Sequence, residues 1–263
     1  MVAWTESAIA IAGTKIHLTR AGKGRPVLVL HRDIGMIEGS RFLDGLAQSA
    51  EVIAPHHAGW GRSPRAEWMR SVRDMAVIYQ GLLAQHAATR EPGTLTLIGL
   101  GFGGWIAAEM ATMAPRAFRR LVLVGAMGLK PERGEILDQA LLSYIDYVRR
   151  GFANQHAFDR VFGAEPPTSR LEQWDLNREM TFRIAWKPYM YGPTLPYLLG
   201  AVTTPTLVVW GARDGIVPRD CGERYAKSLA NARLEIVAEA GHFVDMEKPD
   251  ELARLVARFA SEV

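Results

Sequence analysis

Glycines in the middle of the chain could support two different kinds of chemistry. Gly99, Gly101 and Gly104 fit the dinucleotide fingerprint G-x-G-x-x-G, in which a helix start binds a pyrophosphate. Gly99, Gly101 and Gly103 fit the outline of the nucleophile elbow G-x-S-x-G, in which a strand-to-helix turn presents a serine to its substrate. In this second pattern Gly101 stands at the serine position.

The surrounding sequence favours the elbow. A dinucleotide site needs an acidic residue about 20 positions further on, at the end of the next strand, to bind the ribose. The next predicted strand, Leu121–Val124, is followed by Gly125–Met127, and no carboxylate is present there. The glycines also lie in mid-chain, after several predicted strands, rather than in the first βα unit. We therefore rank the dinucleotide interpretation well below the elbow.

Histidines and carboxylates follow several of the predicted strands and could bind a divalent metal. These residues are His31, Asp33, Glu38, His56, His57 and His242. A histidine-rich or two-histidine, one-carboxylate cluster could activate water and so replace a missing nucleophile, with His56, His57 and His242 as candidate ligands. None of them has H-x-H or H-E-x-x-H spacing. The simpler interpretation, with structural loop histidines and only His242 in chemistry, is therefore favoured.

The composition is that of one globular domain. The chain has 263 residues, of which 48% are hydrophobic and 22% charged, enough for one large α/β domain. The net charge of +3 is spread along the chain, so nucleic acid is not an expected partner. A single cysteine, Cys221, excludes an intrachain disulfide. With no recognisable signal peptide or membrane span, we expect a cytoplasmic protein without a membrane partner.

Strand and helix patterns alternate through most of the chain. Residues 8–18 predict an edge hairpin, and continuous apolar runs such as Val27–His31 predict strands that are covered on both faces. A capping-box-like Ser71 opens a predicted helix that extends to about Ala88. This alternation predicts an α/β fold with a mostly parallel central sheet and helices on both faces.

Residues 130–200 interrupt this alternation. They are rich in tryptophan, tyrosine and proline, and they predict short helices, such as Ile136–Arg150, and loops. We expect them to form a helical lid inserted into a core made of residues 1–129 and 201–263.

Five segments, in order, resemble the α/β-hydrolase superfamily over nearly the whole chain outside the lid. They are Leu30-His31, with Arg32 in place of the usual glycine, the loop Gly59–Ser63, the elbow Gly99–Gly103, the acid loop Trp210–Pro218 and the base loop Ala240–Phe243. The resemblance implies that Asp214 is the acid and His242 the general base. It also implies a site between the lid and the sheet.

Gly101 changes what this resemblance implies for mechanism. In the intact triad a serine attacks, the histidine takes its proton, and the aspartate orients the histidine. Gly101 has no side chain, so covalent acyl-enzyme chemistry at this position is excluded, and Ser63 belongs to a different loop. Glycine could relieve the strain of the elbow, make room for water, a metal or a larger substrate, or be an engineered substitution. The N–H of Phe102 would still contribute to an oxyanion hole.

Several further residues have two interpretations each. Arg32 could bind a substrate carboxylate or oxyanion, or it could point to solvent or pair with Asp33. Asp33, Trp186 and Tyr191 are tentative substrate-binding residues, although an aromatic residue of the lid more often packs against the sheet.

The leading functional hypothesis is an enzyme for small molecules that works without a serine nucleophile. His242, oriented by Asp214, would act as general base on water or on an ester, amide, lactone or carbon–carbon substrate. The alternatives are a metal-dependent hydrolase, a non-catalytic binding protein and a lyase, which needs only a base and a pocket. No cofactor is firmly predicted, and the substrate and the oligomeric state stay open.

Overall fold

The computed structural model describes residues 2–85 and 91–262. Its strands form one eight-stranded sheet in the order β1-β2-β4-β3-β5-β6-β7-β8. The strands are β1 Thr5–Ile11, β2 Thr14–Ala21, β3 Arg25–Leu30, β4 Ala50–Pro55, β5 Leu95–Leu100, β6 Phe118–Val124, β7 Thr206–Gly211 and β8 Ala232–Val237. The hairpin of β1 and β2 forms one edge and pairs antiparallel with β4. All strands from β3 to β8 pair in parallel.

Helices cover both faces of the sheet, as the sequence predicts. The helices are α1 Arg41–Leu46, α2 Val72–Gln85, α3 Phe102–Met113, α4 Tyr144–Arg150, α5 Gln155–Phe162, α6 Thr168–Ala185, α7 Leu195–Leu198, α8 Arg219–Ser228, α9 Val244–Glu247 and α10 Pro249–Ser261. Helices α1 and α10 share one apolar core with the sheet, whereas α2, α3 and α8 share the other. Alternate residues of β6 enter the two cores, because successive side chains of a strand point to opposite faces.

One predicted helix boundary is wrong, and another cannot be compared. Instead of a helix over Ile136–Arg150, the chain makes a 3₁₀ turn at Gln139–Leu141, and α4 begins at Tyr144. The side chain of Ser143 caps α4, which ends the earlier turn and starts a new helix. The final part of the predicted helix opened by Ser71, residues 86–88, lies outside the described residues.

Helices α4–α7, which we call the inserted helices, lie between β6 and β7 in the chain. The side chains of Phe158 and Trp174 anchor them in the apolar core. Asn177 of α6 donates a hydrogen bond of 2.8 Å to the carbonyl of Ile34, in the loop after β3. That these helices act as a lid stays a prediction. Within residues 2–85 and 91–262, no helix combines the length and the apolar character needed to cross a membrane.

Candidate active site

Gly101 lies in a sharp turn between β5 and α3. Its φ of 51° and ψ of −113° form a backbone conformation that residues with a Cβ adopt only under strain. Two positions later, a Cβ on Gly103 would lie 2.2 Å from the carbonyl oxygen of Leu30, so only glycine allows this approach of α3 to β3. The predicted strand, turn and helix context of the elbow is therefore present.

His242 and Asp214 form a buried acid–base pair. Nδ1 of His242 lies 2.8 Å from Oδ2 of Asp214. The other oxygen of Asp214 accepts hydrogen bonds from the N–H groups of Ile216 at 2.9 Å and Val217 at 2.8 Å. Because a carboxylate only accepts, Nδ1 must carry the proton, and Nε2 of the neutral ring keeps its lone pair. This Nε2 is buried and has no hydrogen-bond partner among the described residues.

Arg32 extends into the same place from the loop after β3. Its side chain is 1% exposed, and both Nε, at 2.9 Å, and Nη2, at 2.5 Å, donate to Oδ1 of Asp245. The guanidinium carbon also lies 5.2 Å from the ring centre of Phe243. Pairing with Asp33 and exposure to solvent, the two simpler expectations for Arg32, are both wrong. A buried arginine requires a carboxylate partner, and Asp245 is that partner.

The region beside Gly101 brings the two unpaired nitrogens together. A Cβ built on Gly101 would lie 2.9 Å from Nη1 of Arg32 and 3.1 Å from Nε2 of His242. Like Nε2, Nη1 is buried and has no hydrogen-bond partner within the described part of the chain. The two nitrogens therefore both lie close to the Cβ position of the elbow residue.

Asp33 is fully buried under the inserted helices. Its Oδ2 accepts hydrogen bonds from Nε2 of Gln139 at 2.7 Å and from the hydroxyl of Tyr147 at 2.8 Å. Its Oδ1 finds no partner in the residues described. Burial raises the pKa of Asp33, because a low-dielectric environment disfavours the carboxylate. Burial also raises the pKa of Tyr147 well above its ordinary value, so this hydroxyl stays a donor.

The sequence profile of the alpha/beta hydrolase family matches residues 27–255. The chain belongs to this family. It is 28% identical to a 2-hydroxymuconate semialdehyde hydrolase from Pseudomonas sp. strain CF600, with 97% of this chain and 93% of that protein covered. It is also 30% identical to part of the polyketide synthase ThaQ from Burkholderia thailandensis, covering 95% of this chain but only 12% of the synthase.

Solved structures show the same fold. A 2-hydroxy-6-oxo-6-phenylhexa-2,4-dienoate hydrolase from Rhodococcus sp. strain RHA1 superposes with a TM-score of 0.78 at 21% identity, covering 98% of this chain and 99% of that one. At this identity the likeness concerns the fold alone.

The loop histidines of this alpha/beta hydrolase family member are engaged with one another and with the backbone. Nε2 of His31 accepts from the N–H of His57 at 3.0 Å, and Nδ1 of His31 lies 2.6 Å from the carbonyl of Arg32. The His57 ring contacts the carbonyl of His31 and the hydroxyl of Tyr79. All four ring nitrogens are thus in use. Burial lowers the pKa of His57 to about 3 and that of His31 well below its ordinary value.

The metal cluster of the alternative hypothesis does not assemble. Among residues 2–85 and 91–262, no three His, Cys, Asp or Glu side chains are grouped so that they could hold a metal ion. The ring centre of His56 lies 6.4 Å from that of His31, and Nδ1 of His56 lies beside Gly61. His242 is hydrogen-bonded to Asp214 instead. Glu38 lies at the surface near Arg62.

The remaining predicted residues lie in different settings. Phe102 is the first residue of α3, where N–H groups lack an acceptor within the helix, so its placement suits an oxyanion hole. Trp186 is 47% exposed and packs on Phe182 and Tyr189. Tyr191 is half-buried and forms a β-bridge with Gly128. Their role in substrate binding rests on the sequence alone.

Sequence reasoning missed the residues that support the site. Asp245 holds Arg32, and Gln139 and Tyr147 hold Asp33. Glu247 accepts from the N–H groups of Gly241 at 2.6 Å and Ala153 at 2.9 Å, which ties the loop of His242 to the inserted segment. One signal was available: a buried arginine after an apolar strand requires a carboxylate elsewhere in the chain.

Proposed function

We propose that this protein is a hydrolase in which His242, oriented by Asp214, is the general base and no serine nucleophile takes part. Its family membership and its relatives support a hydrolase. The observation that carries the mechanism is the unpaired, buried Nε2 of His242, 3.1 Å from where a side chain at Gly101 would begin. At this position the chain provides a base but no attacking atom.

Water supplies the missing atom for an ester, amide or lactone. Its oxygen forms a bond to the carbonyl carbon while Nε2 of His242 takes its proton, and Asp214 stabilises the resulting imidazolium. The negative charge on the carbonyl oxygen is stabilised by the N–H of Phe102. The intermediate then collapses, the bond to the leaving oxygen or nitrogen breaks, and His242 returns the proton to the leaving group.

A carbon–carbon substrate belongs to the same proposal. The relatives include hydrolases named for 2-hydroxymuconate semialdehyde and for 2-hydroxy-6-oxononadienedioate. With such a substrate, the oxygen of water would add to the carbonyl carbon while His242 takes its proton. The adjoining carbon–carbon bond would then break, and His242 would return the proton to the leaving carbon. The inserted helices would act as the lid that excludes bulk water from this step.

A panel of ester, amide, lactone and carbon–carbon substrates tests the proposal. We expect turnover in H₂¹⁸O to place one labelled oxygen in the product, without an acyl adduct on the quenched protein. His242→Ala should lower turnover by about 10²–10⁴, the usual contribution of a general base. The matched variant His156→Ala, at an exposed histidine of α5, should retain full activity.

Other outcomes identify the alternatives. Unchanged turnover in His242→Ala, or a covalent adduct, would contradict the proposed mechanism. Product without labelled oxygen would indicate a lyase, and binding without any turnover would indicate a non-catalytic protein. Activity that chelators abolish and zinc or manganese restores would support a metal-dependent hydrolase, although the ring nitrogens of His31 and His57 are already occupied.

A further inference from the structure

A buried positive group next to Gly101 has a donor that nothing in the described chain uses. Asp245 occupies Nε and Nη2 of Arg32 through a single oxygen, which leaves the Nη1 edge of the guanidinium open. The side chain of Arg32 is 1% exposed, so bulk water does not supply the acceptor that Nη1 lacks. A buried donor without an acceptor is costly, and a site that fills when a ligand binds explains it.

A second positive feature points to the same volume. Helix α3 has 12 residues, and its N-cap, Gly101, makes no side-chain capping hydrogen bond. The first N–H groups of such a helix carry a partial positive charge and favour an anion. Nη1 of Arg32 lies 2.9 Å from the Cβ position of Gly101, so the arginine donor and the helix start face the same place.

The carboxylates nearby do not fill this place. Asp245 is bound to the opposite edge of the guanidinium, and Asp214 accepts from His242 and from two backbone N–H groups. Asp33 is held by Gln139 and Tyr147. Only Oδ2 of Asp33 is used in these bonds, and its free Oδ1 makes no hydrogen bond to Nη1. Within the described residues, Nη1 therefore has no acceptor.

We propose that the site takes substrates with a carboxylate group, which binds Nη1 of Arg32 at the start of α3. This names a substrate class for the proposed function and rests on it for the role of His242. With the carboxylate seated there, Nε2 of His242 lies beside the atoms adjoining the carboxylate. The proton that it removes is then one on the neighbouring carbon, on a hydroxyl of that carbon or on a water bound next to it.

Binding of matched acids and amides tests the inference without turnover. Acetate, propionate and benzoate are compared with acetamide, propionamide and benzamide by calorimetry on the full-length protein. We expect at least one carboxylate to bind about tenfold or more tightly than its amide, because only the anion pairs with the guanidinium. Equal affinity for every acid and its amide would overturn the inference.

Variants assign that preference to Arg32. Arg32→Met alone would leave Asp245 buried without a partner, so the variant is Arg32→Met with Asp245→Leu, in which both charges are removed together. The double variant should lose the preference for the acid. Arg41→Met, at an exposed arginine that pairs with Asp250, should keep it. A preference that survives in a folded double variant would contradict the inference.

A measurement on the protein without substitutions tests the inference even if the double variant does not fold. The ¹⁵N resonances of the Arg32 guanidinium, assigned through their loss in Arg32→Lys, should shift on addition of the bound carboxylate and stay in place with its amide. Absence of a shift at saturation would also overturn the inference.

The two proposals fail separately. Binding should survive in His242→Ala, because the base is not needed to hold the carboxylate. Acid-selective binding without turnover on any substrate would support this inference and contradict the proposed function. Turnover that depends on His242 but is equally fast for substrates with and without a carboxylate would support the proposed function and contradict this inference.

Discussion

The side chain of Arg32 lies in close contact with the place where a side chain at position 101 would begin. Its Nη1 is 2.9 Å from the Cβ position of Gly101, and its Cγ is 3.3 Å away. The two residues are therefore coupled: an arginine at position 32 fits because position 101 is a glycine, and a serine at position 101 would displace the arginine.

This coupling predicts how a nucleophile could be introduced. Gly101→Ser alone should stay unreactive, because Arg32 obstructs the new side chain. Gly101→Ser with Arg32→Gly and Asp245→Asn makes room, avoids an unpaired buried carboxylate and places a hydroxyl near Nε2 of His242. Only the triple variant should react with a fluorophosphonate probe, as measured by intact-protein mass.

The position of the label gives the control. Peptide mapping should find it on residue 101, and adding His242→Ala should remove it, because the hydroxyl then has no base. Labelling of the single variant Gly101→Ser at the rate of the triple variant would contradict the coupling.

Asp214→Asn should inactivate the enzyme through the tautomer of His242. The side-chain oxygen of asparagine must accept from the N–H groups of Ile216 and Val217, so its NH₂ faces Nδ1 of His242. Nδ1 then becomes the acceptor, and the proton moves to Nε2, which can no longer act as a base. We expect turnover to fall by about 10⁴, as in a serine protease with the equivalent change.

Two measurements check this explanation. The ¹⁵N and ¹H spectra of the histidine rings should show the proton of His242 on Nδ1 in the original protein and on Nε2 in the variant. Asp250→Asn, at an exposed aspartate, should leave turnover unchanged. Loss of activity with the tautomer unchanged would mean that Asp214 acts in another way.

The elbow and the positions of the acid and base loops could be predicted because their signals are local. Gly101 and Gly103 mark a turn that no other residue makes easily, and the loops of Asp214 and His242 each follow an apolar strand. The resemblance to the α/β-hydrolase superfamily implies that these two residues meet, which agrees with parallel strands bringing their carboxyl ends to one edge. The structure confirms the mostly parallel sheet with helices on both faces.

The contacts of Arg32 and Asp33 could not be predicted in this way. Asp245 is 213 positions from Arg32, and Gln139 and Tyr147 are 106 and 114 positions from Asp33. Asp245 lies in α9, Gln139 in the 3₁₀ turn before α4, and Tyr147 in α4. These contacts depend on how distant segments pack together, which local sequence patterns do not reveal. For the same reason the sequence could not place Trp186, a tentative substrate-binding residue that lies half exposed.

The buried histidines should make the protein sensitive to acid. His57, with a pKa of about 3, stays neutral in the folded state while the unfolded chain takes up protons below about pH 6.5. The stability that His57 contributes is therefore fully present above its pKa in the unfolded chain. It is lost as the pH falls toward its pKa in the folded protein. Each such histidine contributes at most about 1.4 kcal/mol per pH unit to this loss.

His57→Gln measures that contribution. Urea denaturation at pH 7, 6, 5 and 4.5 should show a slope of unfolding free energy against pH that is smaller by up to about 1.4 kcal/mol per unit. His31 stays in place, so part of the slope remains. The control is His156→Gln at an exposed site. An unchanged slope in His57→Gln would show that this histidine takes up its proton as readily in the folded protein as in the unfolded chain.

Asp33 should affect stability in the opposite direction to His57, lowering it as the pH rises, and Asp33→Asn tests this. Burial raises the pKa of Asp33 above its ordinary value of 3.8, so the folded protein binds the proton more tightly than the unfolded chain. The stability that this group contributes is fully present below about pH 3.8 and is lost as the pH rises through the folded pKa. Asparagine does not ionise, and its oxygen can accept from Gln139 and Tyr147 as the carboxyl oxygen does.

As the pH rises from 4 to 8, the free energy of unfolding of the variant should therefore increase relative to that of the original protein. Urea denaturation at each pH measures this difference. Asp175→Asn, at an exposed aspartate of α6, provides the matched control and should show no such trend. A variant that loses stability at pH 8 but not at pH 4 would mean that the Asp33 carboxylate is stabilised in place. The unpaired Nη1 of Arg32 would then have to be assigned to the charge of Asp33 rather than to that of a substrate.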